Sequence, residues 1–208
     1  MAVIKKSTLS FLNQLAKNND REWFKDNKDK YEAGRENVAE FAQALMDRLV
    51  ETDVLATENG KKSLFRIYRD VRFGKNKDPY KTNFAGQFKR DGKIRRGGYY
   101  YNVSPVGNWR SFIGGGFYGM EKQDLKRMRE ELAIDASELR AIITDKDFAR
   151  IFGELQGEQL KTAPQGYSKD HENIDLLRYK QFYAGRNFTD KEVLSKDFLD
   201  MAHEATLT

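Results

Sequence analysis

The first fifty residues carry apolar side chains at helical spacing. A short helix capped by Ser7 or Thr8 is predicted first, and the polar stretch KNND ends it. Asp20 then offers a carboxylate that can accept the free amide hydrogens at the start of a second helix. Gly34 lies within this second helix and is a candidate position for a kink. Its apolar stripe, typical of packing against a core, consists of Phe24, Tyr31, Val38 and Leu45.

Residues 63–118 have the composition of β-strands instead. Runs of β-branched and aromatic residues alternate with turns rich in Gly, Asn, Asp and Pro, which predicts an antiparallel meander. The runs are SLFRIYRDVRF, TNFAGQFK, GGYYYNVSP and WRSFIGGGFYG. In the third run, Tyr99 and Tyr101 would share one face of the strand and Tyr100 would lie on the other. The glycines at 114–116 predict a bulge or a close approach of two backbones rather than a phosphate-binding loop.

From Glu121 onward the pattern is mostly helical again, and the two late stretches GEQLKTAP and KQFYAGRNF favour strands. No repeat or obvious linker divides the chain. We therefore predict a single α+β domain over residues 1–208. Its central antiparallel sheet, placed at residues 63–118, would be flanked by N-terminal and C-terminal helices.

Positive charge is concentrated in one part of this pattern. The formal net charge is +5, yet the segment from Lys61 to Arg96 holds 13 Lys and Arg against 3 acids, a local net charge of +10. The remaining residues therefore carry a net charge of −5. This asymmetry points to an anionic partner near the segment. A solvated basic face that only complements the acidic body is the alternative.

The most basic stretch is FRIYRDVRFGKNKDPYKT, Phe65 to Thr82. If its first nine residues are extended, side chains alternate between two faces. One face would carry Phe65, Ile67, Arg69, Val71 and Phe73, and the other Arg66, Tyr68, Asp70 and Arg72. Arg69 is the one charged residue on the apolar face, so we assign it a structural role. A buried guanidinium needs a partner, for which Glu22 and Glu32 are the candidate carboxylates.

The same stretch resembles a known family. Its residues match R-x-x-R-D-x-R-F-x-x-[DN]-K-x-P-Y-K, the signature of domain-of-unknown-function family 2461. Similar stretches elsewhere are FLNQLAKNNDREWFKDNKDKYE, GGYYYNVSP, GGGFY and LKTAPQGYSKDHENIDLLRYK, so the resemblance covers almost the whole chain. The chain departs from the family at residues 171–173, where HEN replaces an expected His-Pro. The family is bacterial and fungal and has no assigned activity, so the resemblance implies a shared fold and a shared cluster only.

The chemistry of the cluster favours an anionic, phosphate-bearing ligand, either a nucleotide or a nucleic acid. Arginine grips phosphate with two parallel hydrogen bonds, lysine adds point charge, and tyrosine can stack on a base. The predicted ligand-binding residues are Arg66, Tyr68, Asp70, Arg72, Lys75, Lys77, Tyr80 and Lys81. A structural network, in which acids such as Asp70 neutralise the arginines, would produce the same cluster. An aromatic, basic sheet face would also resemble a platform for single strands, although packing alone favours aromatic residues on a sheet.

Two further classes of function stay open, an enzyme acting on a phosphorylated or carboxylated substrate and a basic surface that docks an acidic protein partner. His171 is the candidate for acid–base chemistry, but a histidine at a helix start is more often a cap. The absence of cysteine excludes disulfides and thiolate chemistry, and only two histidines are present. We therefore expect no metal site and no cofactor, and we assign no catalytic residue. The oligomeric state stays open.

The hydropathy of the chain bears on its location. The N-terminal stretch MAVIKKSTLSFL lacks the apolar run of a signal peptide, and no run approaches the about 20 residues needed to cross a bilayer. We therefore expect a cytoplasmic protein without membrane association.

Overall fold

The computed structural model describes residues 2–72, 75–92, 97–105, 107 and 110–207. Three helices precede the sheet region: α1 (Lys6–Lys17), α2 (Arg21–Asp26) and α3 (Lys28–Leu49). A short α4 (Gly60–Ser63) leads into it. The strands are β1 (Phe84–Lys89), β2 (Gly98–Val103), β3 (Ser111–Phe117) and β4 (Phe182–Phe188). Between β3 and β4 lie α5 (Lys122–Ile134), α6 (Ser137–Thr144), α7 (Lys146–Phe152) and α8 (Ile174–Leu177). After β4 follow α9 (Asp190–Val193) and α10 (Phe198–Leu207).

The N-terminal helices form where the apolar spacing predicts them. The Asp20 side chain accepts a hydrogen bond from the Trp23 amide and so caps α2, as expected. The predicted second helix is divided at Asn27, which ends α2 and precedes α3. α3 continues through Gly34 as one helix. A Cβ at Gly34 would lie 3.2 Å from the Phe84 ring, so the glycine serves close packing of α3 on β1.

The four strands form an antiparallel meander in the order β1-β2-β3-β4. The α+β prediction is therefore confirmed, with helices on both sides of the sheet. The late stretch KQFYAGRNF supplies β4, which extends the sheet beyond the predicted residues 63–118. The stretch SLFRIYRDVRF does not form a regular strand, since only two isolated bridges, Leu64 with Gly86 and Tyr68 with Tyr80, occur in its described residues. GEQLKTAP likewise forms no regular strand and makes one isolated bridge, at Gln159, next to a second bridge at the preceding Gln156.

The main core lies between the inner face of the sheet and helices α1, α3 and α10. Phe41 of α3 stacks on Phe198 of α10 with ring centroids 4.8 Å apart, and both rings are fully buried. Tyr101 and Ile113, opposite each other on β2 and β3, close this core from the sheet side. A second, smaller apolar cluster joins α5, α8 and the start of β4. Within the described residues, no helix has the length and apolarity of a membrane span.

Candidate functional site

The basic stretch runs extended beside a short return segment. The Arg69 amide donates to the Pro79 carbonyl (2.9 Å), and the Lys81 amide donates to the Ile67 carbonyl (2.8 Å). The Phe65 amide donates to Ala85 of β1 (2.9 Å), so the stretch starts along the edge of the sheet. Ile67 is buried, whereas Arg66, Tyr68, Asp70 and Arg72 are exposed, as the predicted alternation requires. Phe65 departs from it, because 42% of its surface is exposed. Phe73 lies outside the described residues.

Tyr80 anchors the return segment. Asn19 accepts from its amide (3.1 Å) and donates to its carbonyl (3.0 Å), so one side chain holds both backbone groups. The Tyr80 ring stacks on Phe24 with centroids 4.0 Å apart and is 5% exposed. Burial raises the pKa of its hydroxyl. The ring of this predicted ligand-binding residue therefore packs in the core.

Several of the predicted cations are engaged within the stretch itself. Arg72 binds Asp70 with two hydrogen bonds, from Nε (3.0 Å) and from Nη2 (2.7 Å), and both side chains are exposed. Lys77 Nζ donates to the Val71 carbonyl (2.8 Å), and Lys75 is exposed. Lys81 Nζ donates to the Arg66 carbonyl (3.0 Å). Burial and the nearby Arg69 charge lower the pKa of Lys81.

Arg69 turns its Nε into the protein, but neither of the carboxylates expected to pair with it does so. Its Nη2 donates to the Tyr80 carbonyl at 3.4 Å, and its Nε is buried without a hydrogen-bond partner. In the described part of the chain, neither Glu22 nor Glu32 forms an ion pair with it. Arg69 is half-buried rather than enclosed, so water can reach part of the guanidinium and the charge is tolerated without a carboxylate.

A small pocket, here called the arginine pocket, lies between α3 and the start of the basic stretch. Its volume is about 180 Å³. It is lined by Tyr31, Glu32, Arg35, Leu64, Phe65, Arg66 and Tyr68. Burial raises the pKa of Tyr31, and the Arg35 charge partly opposes that shift. Of the predicted ligand-binding residues, the pocket brings together Arg66 and Tyr68 only.

Sequence reasoning missed Tyr31 and Arg35 as members of this site. They lie four positions apart on α3 and so share one face of the helix. That spacing was visible in the sequence, with Tyr31 already assigned to the core stripe. The approach of the basic stretch to this face is a tertiary contact, which the spacing does not reveal.

The second concave surface, here called the outer groove, lies on the face of the sheet opposite the main core. Its volume is about 840 Å³. Two aromatic pairs line the groove. The ring centroids of Tyr100 and Phe112 are 6.1 Å apart, and those of Tyr118 and Tyr183, which meet edge-on, are 5.8 Å apart. Tyr100 therefore faces the groove while Tyr101 is buried in the core, so the two lie on opposite faces of β2, as predicted from the alternation.

Glycines form the floor of the outer groove. Gly98, Gly114 and Gly116 line it from β2 and β3. A Cβ at Gly114 would overlap the backbone of β4, and a Cβ at Gly185 would overlap the Phe112 ring. The predicted close backbone approach is therefore present at Gly114 and Gly116, two of the three consecutive glycines.

A buried carboxylate supports one end of the groove. Asp53, whose side chain is 6% exposed, contacts Arg90 Nε at 2.5 Å and accepts from the Tyr99 hydroxyl at 2.9 Å. Burial alone would raise the pKa of Asp53, but the hydrogen bonds with Arg90 and Tyr99 outweigh it and hold that pKa below its ordinary value. Burial together with Asp53 raises the pKa of Tyr99 to about 12.

His171 behaves as a turn residue. Its Nδ1 accepts from the Asn173 amide (3.1 Å), and its ring meets Tyr167 edge-on. Asn173, the last residue of the HEN departure, precedes α8 and donates to the Leu132 carbonyl of α5 (3.0 Å). Among the described residues, no group of three or more acidic, His or Cys side chains could hold a metal ion.

Fold and surface together define a class: an α+β protein whose meander sheet presents an aromatic, glycine-floored face beside an arginine pocket. Within that class, the chain belongs to the family described as a conserved hypothetical protein (DUF2461), whose model matches residues 7–207. The resemblance drawn from the sequence is therefore confirmed. Comparisons with curated proteins and with solved structures found no match. The family description names no activity, so the function has to be argued from the site.

Proposed function

We propose that the protein binds a phosphate-bearing ligand and that the arginine pocket receives the phosphate. The observation that carries the proposal is that the side chains of Arg35 and Arg66 are unpaired. Across the described residues, neither side chain has a hydrogen bond or an ion pair. By contrast, four arginines elsewhere in the described chain are held by carboxylates within 2.7–2.9 Å, namely Arg48, Arg72, Arg140 and Arg150. Two unpaired guanidinium groups at one pocket are typical of a site that pairs with an external anion.

The size and lining of the pocket support an anionic group rather than a whole ligand. Its volume of about 180 Å³ lies below the about 300–1,000 Å³ of sites that enclose a drug-sized molecule. Tyr31 and Tyr68 add two hydroxyl groups, which can donate to phosphate oxygens. The remainder of the ligand would lie outside the pocket, on the surface beside it.

Glu32 lines the same pocket and opposes an anion. The formal charge of the three ionised side chains is therefore +1 rather than +2. Replacing Glu32 by Gln removes that opposition without changing the size of the side chain. Glu32→Gln should bind the anion more tightly than the wild-type protein, whereas a structural network that needs Glu32 would be weakened by the change.

The test is calorimetric titration with inorganic pyrophosphate at two salt concentrations. Arg35→Ala and Arg66→Ala should each weaken binding by about tenfold or more, because a charge-assisted hydrogen bond contributes about 1.5–3 kcal/mol. Arg150→Ala is the matched control, since it removes the same charge from α7, where the guanidinium is bound by Asp147 and Glu204. If Arg66→Ala and Arg150→Ala weakened pyrophosphate binding equally, the loss would come from the change in net charge and not from the pocket. Unchanged binding in both Arg35→Ala and Arg66→Ala would refute the proposal.

A further inference from the structure

We infer that the ligand is a single-stranded nucleic acid, with its bases stacked on the aromatic side chains of the outer groove and a backbone phosphate in the arginine pocket. The inference rests on the proposed function, which supplies the phosphate site. It adds the class of ligand and the surface that receives the bases.

Phe65 joins the two surfaces. Its side chain lines the arginine pocket, and its ring lies 6.5 Å from that of Tyr100, which lines the outer groove. Tyr100 in turn lies 6.1 Å from Phe112. A row of three rings therefore leads from the pocket across the edge of the sheet and onto its outer face. A ligand that carries both phosphates and planar rings matches a phosphate pocket followed by a row of aromatic rings.

Two residues of this row are exposed, Phe65 by 42% and Tyr100 by 38%, and Phe112 is half-buried. Part of each ring surface is therefore open to a ligand. The centroid separations of 6.5 and 6.1 Å are nearly twice the about 3.4 Å rise per nucleotide of a stacked strand. Successive rings can therefore each receive a base only when the strand is extended, which a single strand permits and a duplex does not.

Positive charge along the groove also favours a polyanion. Arg110 immediately precedes β3, two positions before Phe112, and Lys89 lies on β1 opposite Gly98 of β2. Both line the groove and are exposed, and neither side chain has a hydrogen bond or ion pair to the part of the chain that the structure describes. Glu121 and Asp124 lie beyond Tyr118, at the end of the groove away from Arg110. The bases are thus expected over Tyr100 and Phe112, where the phosphates would avoid the acidic residues.

Polar amides lie beside the aromatic row. Gln87, Asn102 and Asn187 line the groove from three different strands. The Asn102 amide is occupied, since it donates to the Arg110 carbonyl (2.8 Å) and its oxygen accepts from Asn83. Gln87 and Asn187 have no side-chain hydrogen bond to described residues, so their amides can bond to the edges of bases.

The experiment measures fluorescence anisotropy of a labelled oligothymidylate of about ten nucleotides, within the about 4–16 nucleotides that a single-strand site covers. Wild-type protein should bind this strand more tightly than a duplex of the same length. Loss of one stacked base costs about 1–3 kcal/mol, so Tyr100→Ala should weaken binding about 5- to 150-fold. Tyr100→Phe keeps the ring and should restore most of the affinity. Tyr167→Ala, which removes an aromatic residue outside both surfaces, is the control and should bind like the wild type.

Pyrophosphate titration of the same variants separates this inference from the proposed function. Tyr100→Ala should lose far more oligonucleotide affinity than pyrophosphate affinity, and Arg66→Ala should lose both. The inference is overturned if oligonucleotide binding survives Tyr100→Ala or if a duplex binds as tightly as the single strand. Neither result would contradict the proposed phosphate site in the arginine pocket. Pyrophosphate binding that survives both Arg35→Ala and Arg66→Ala overturns the proposed function and, with it, the phosphate placement made here.

Discussion

Asp53 is the residue whose replacement best tests how the groove is held in shape. Its carboxylate accepts from the Tyr99 hydroxyl and from the Val54 amide and is paired with Arg90. Around it, residues 54–56 pair with the end of β1 through bonds from Ala56 to Lys89 and from Asp91 to Val54. Asp53→Ala would leave the partly buried Tyr99 hydroxyl and the partly buried Arg90 guanidinium without their shared acceptor.

The expected loss of stability follows from the burial of each partner. A hydrogen bond to a charged group contributes about 1.5–3 kcal/mol, which applies to the partly buried Tyr99 hydroxyl. The Arg90 side chain is 33% exposed, so its ion pair is closer to a surface pair at up to about 1 kcal/mol. Asp53→Ala should therefore cost about 3 kcal/mol, or a Tm lower by about 6–12 °C for a chain of this length. Asp53→Asn keeps an acceptor oxygen and should cost about 1 kcal/mol.

Urea denaturation at several pH values checks both the magnitude and its electrostatic origin. The folded-state pKa of Asp53 is lowered, so its contribution is present above the unfolded pKa of about 3.9 and is lost as pH falls below it. The difference in unfolding free energy between wild type and Asp53→Asn should therefore shrink below about pH 4. The pKa of Tyr99 is raised to about 12, so neutral Tyr99 stabilises the fold below about pH 10, and this contribution is lost as pH rises toward 12. Melting of Asp53→Ala within about 2 °C of wild type would refute the reasoning.

Two further predictions concern packing around the same surfaces. Gly185→Ala should cost about 1–3 kcal/mol, because its methyl group would overlap the Phe112 ring, and the cost should vanish in a Phe112→Ala background if that overlap is its cause. Thermal melts of the single and double variants measure the coupling, and an equal cost in both backgrounds would contradict it. Arg69→Ala should cost only about 1 kcal/mol rather than the 3–5 kcal/mol of a broken buried ion pair, because no described carboxylate is left without its partner. Arg69→Met should melt at or above the temperature of Arg69→Ala, since it replaces the buried Nε by apolar atoms, and a large loss in either variant would reveal a partner for this guanidinium.

The sequence predicted those parts of the fold that depend on local periodicity. The apolar stripe of α3 and the division of Tyr100 from Tyr101 follow from helical and strand periods, which one chain segment carries by itself. The stretch from Phe65 to Phe73 has the composition of a strand, but a strand also needs a partner of matching length. Its partner, residues 79–81, is only long enough for a few bonds around the Tyr68–Tyr80 bridge. Composition therefore predicted that the stretch is extended, but it could not predict how many residues of another segment would pair with it.

The candidate site was less predictable because charge does not specify distance. Arg66 and Arg72 have the same residue type and the same predicted face, yet Arg72 is bound by Asp70 two positions away and Arg66 lines a pocket with Arg35 of α3. The choice of Glu22 or Glu32 for Arg69 failed for the same reason. A sequence can nominate a carboxylate of the right sign, but the fold decides which atoms come within about 4 Å.

Phe65 connects the failed part of the strand prediction to the function proposed for the surface. A regular strand would have turned this ring toward the core with Ile67, but its exposure places it between the arginine pocket and Tyr100. Lys81 lies over the ring with Nζ 5.9 Å from the centroid and also donates to the Arg66 carbonyl. If a strand binds as inferred above, Lys81 would be placed to contact a phosphate next to the one in the arginine pocket. The basic stretch thus departs from regular strand geometry at the point where the Phe65 ring and the Lys81 ammonium group lie side by side.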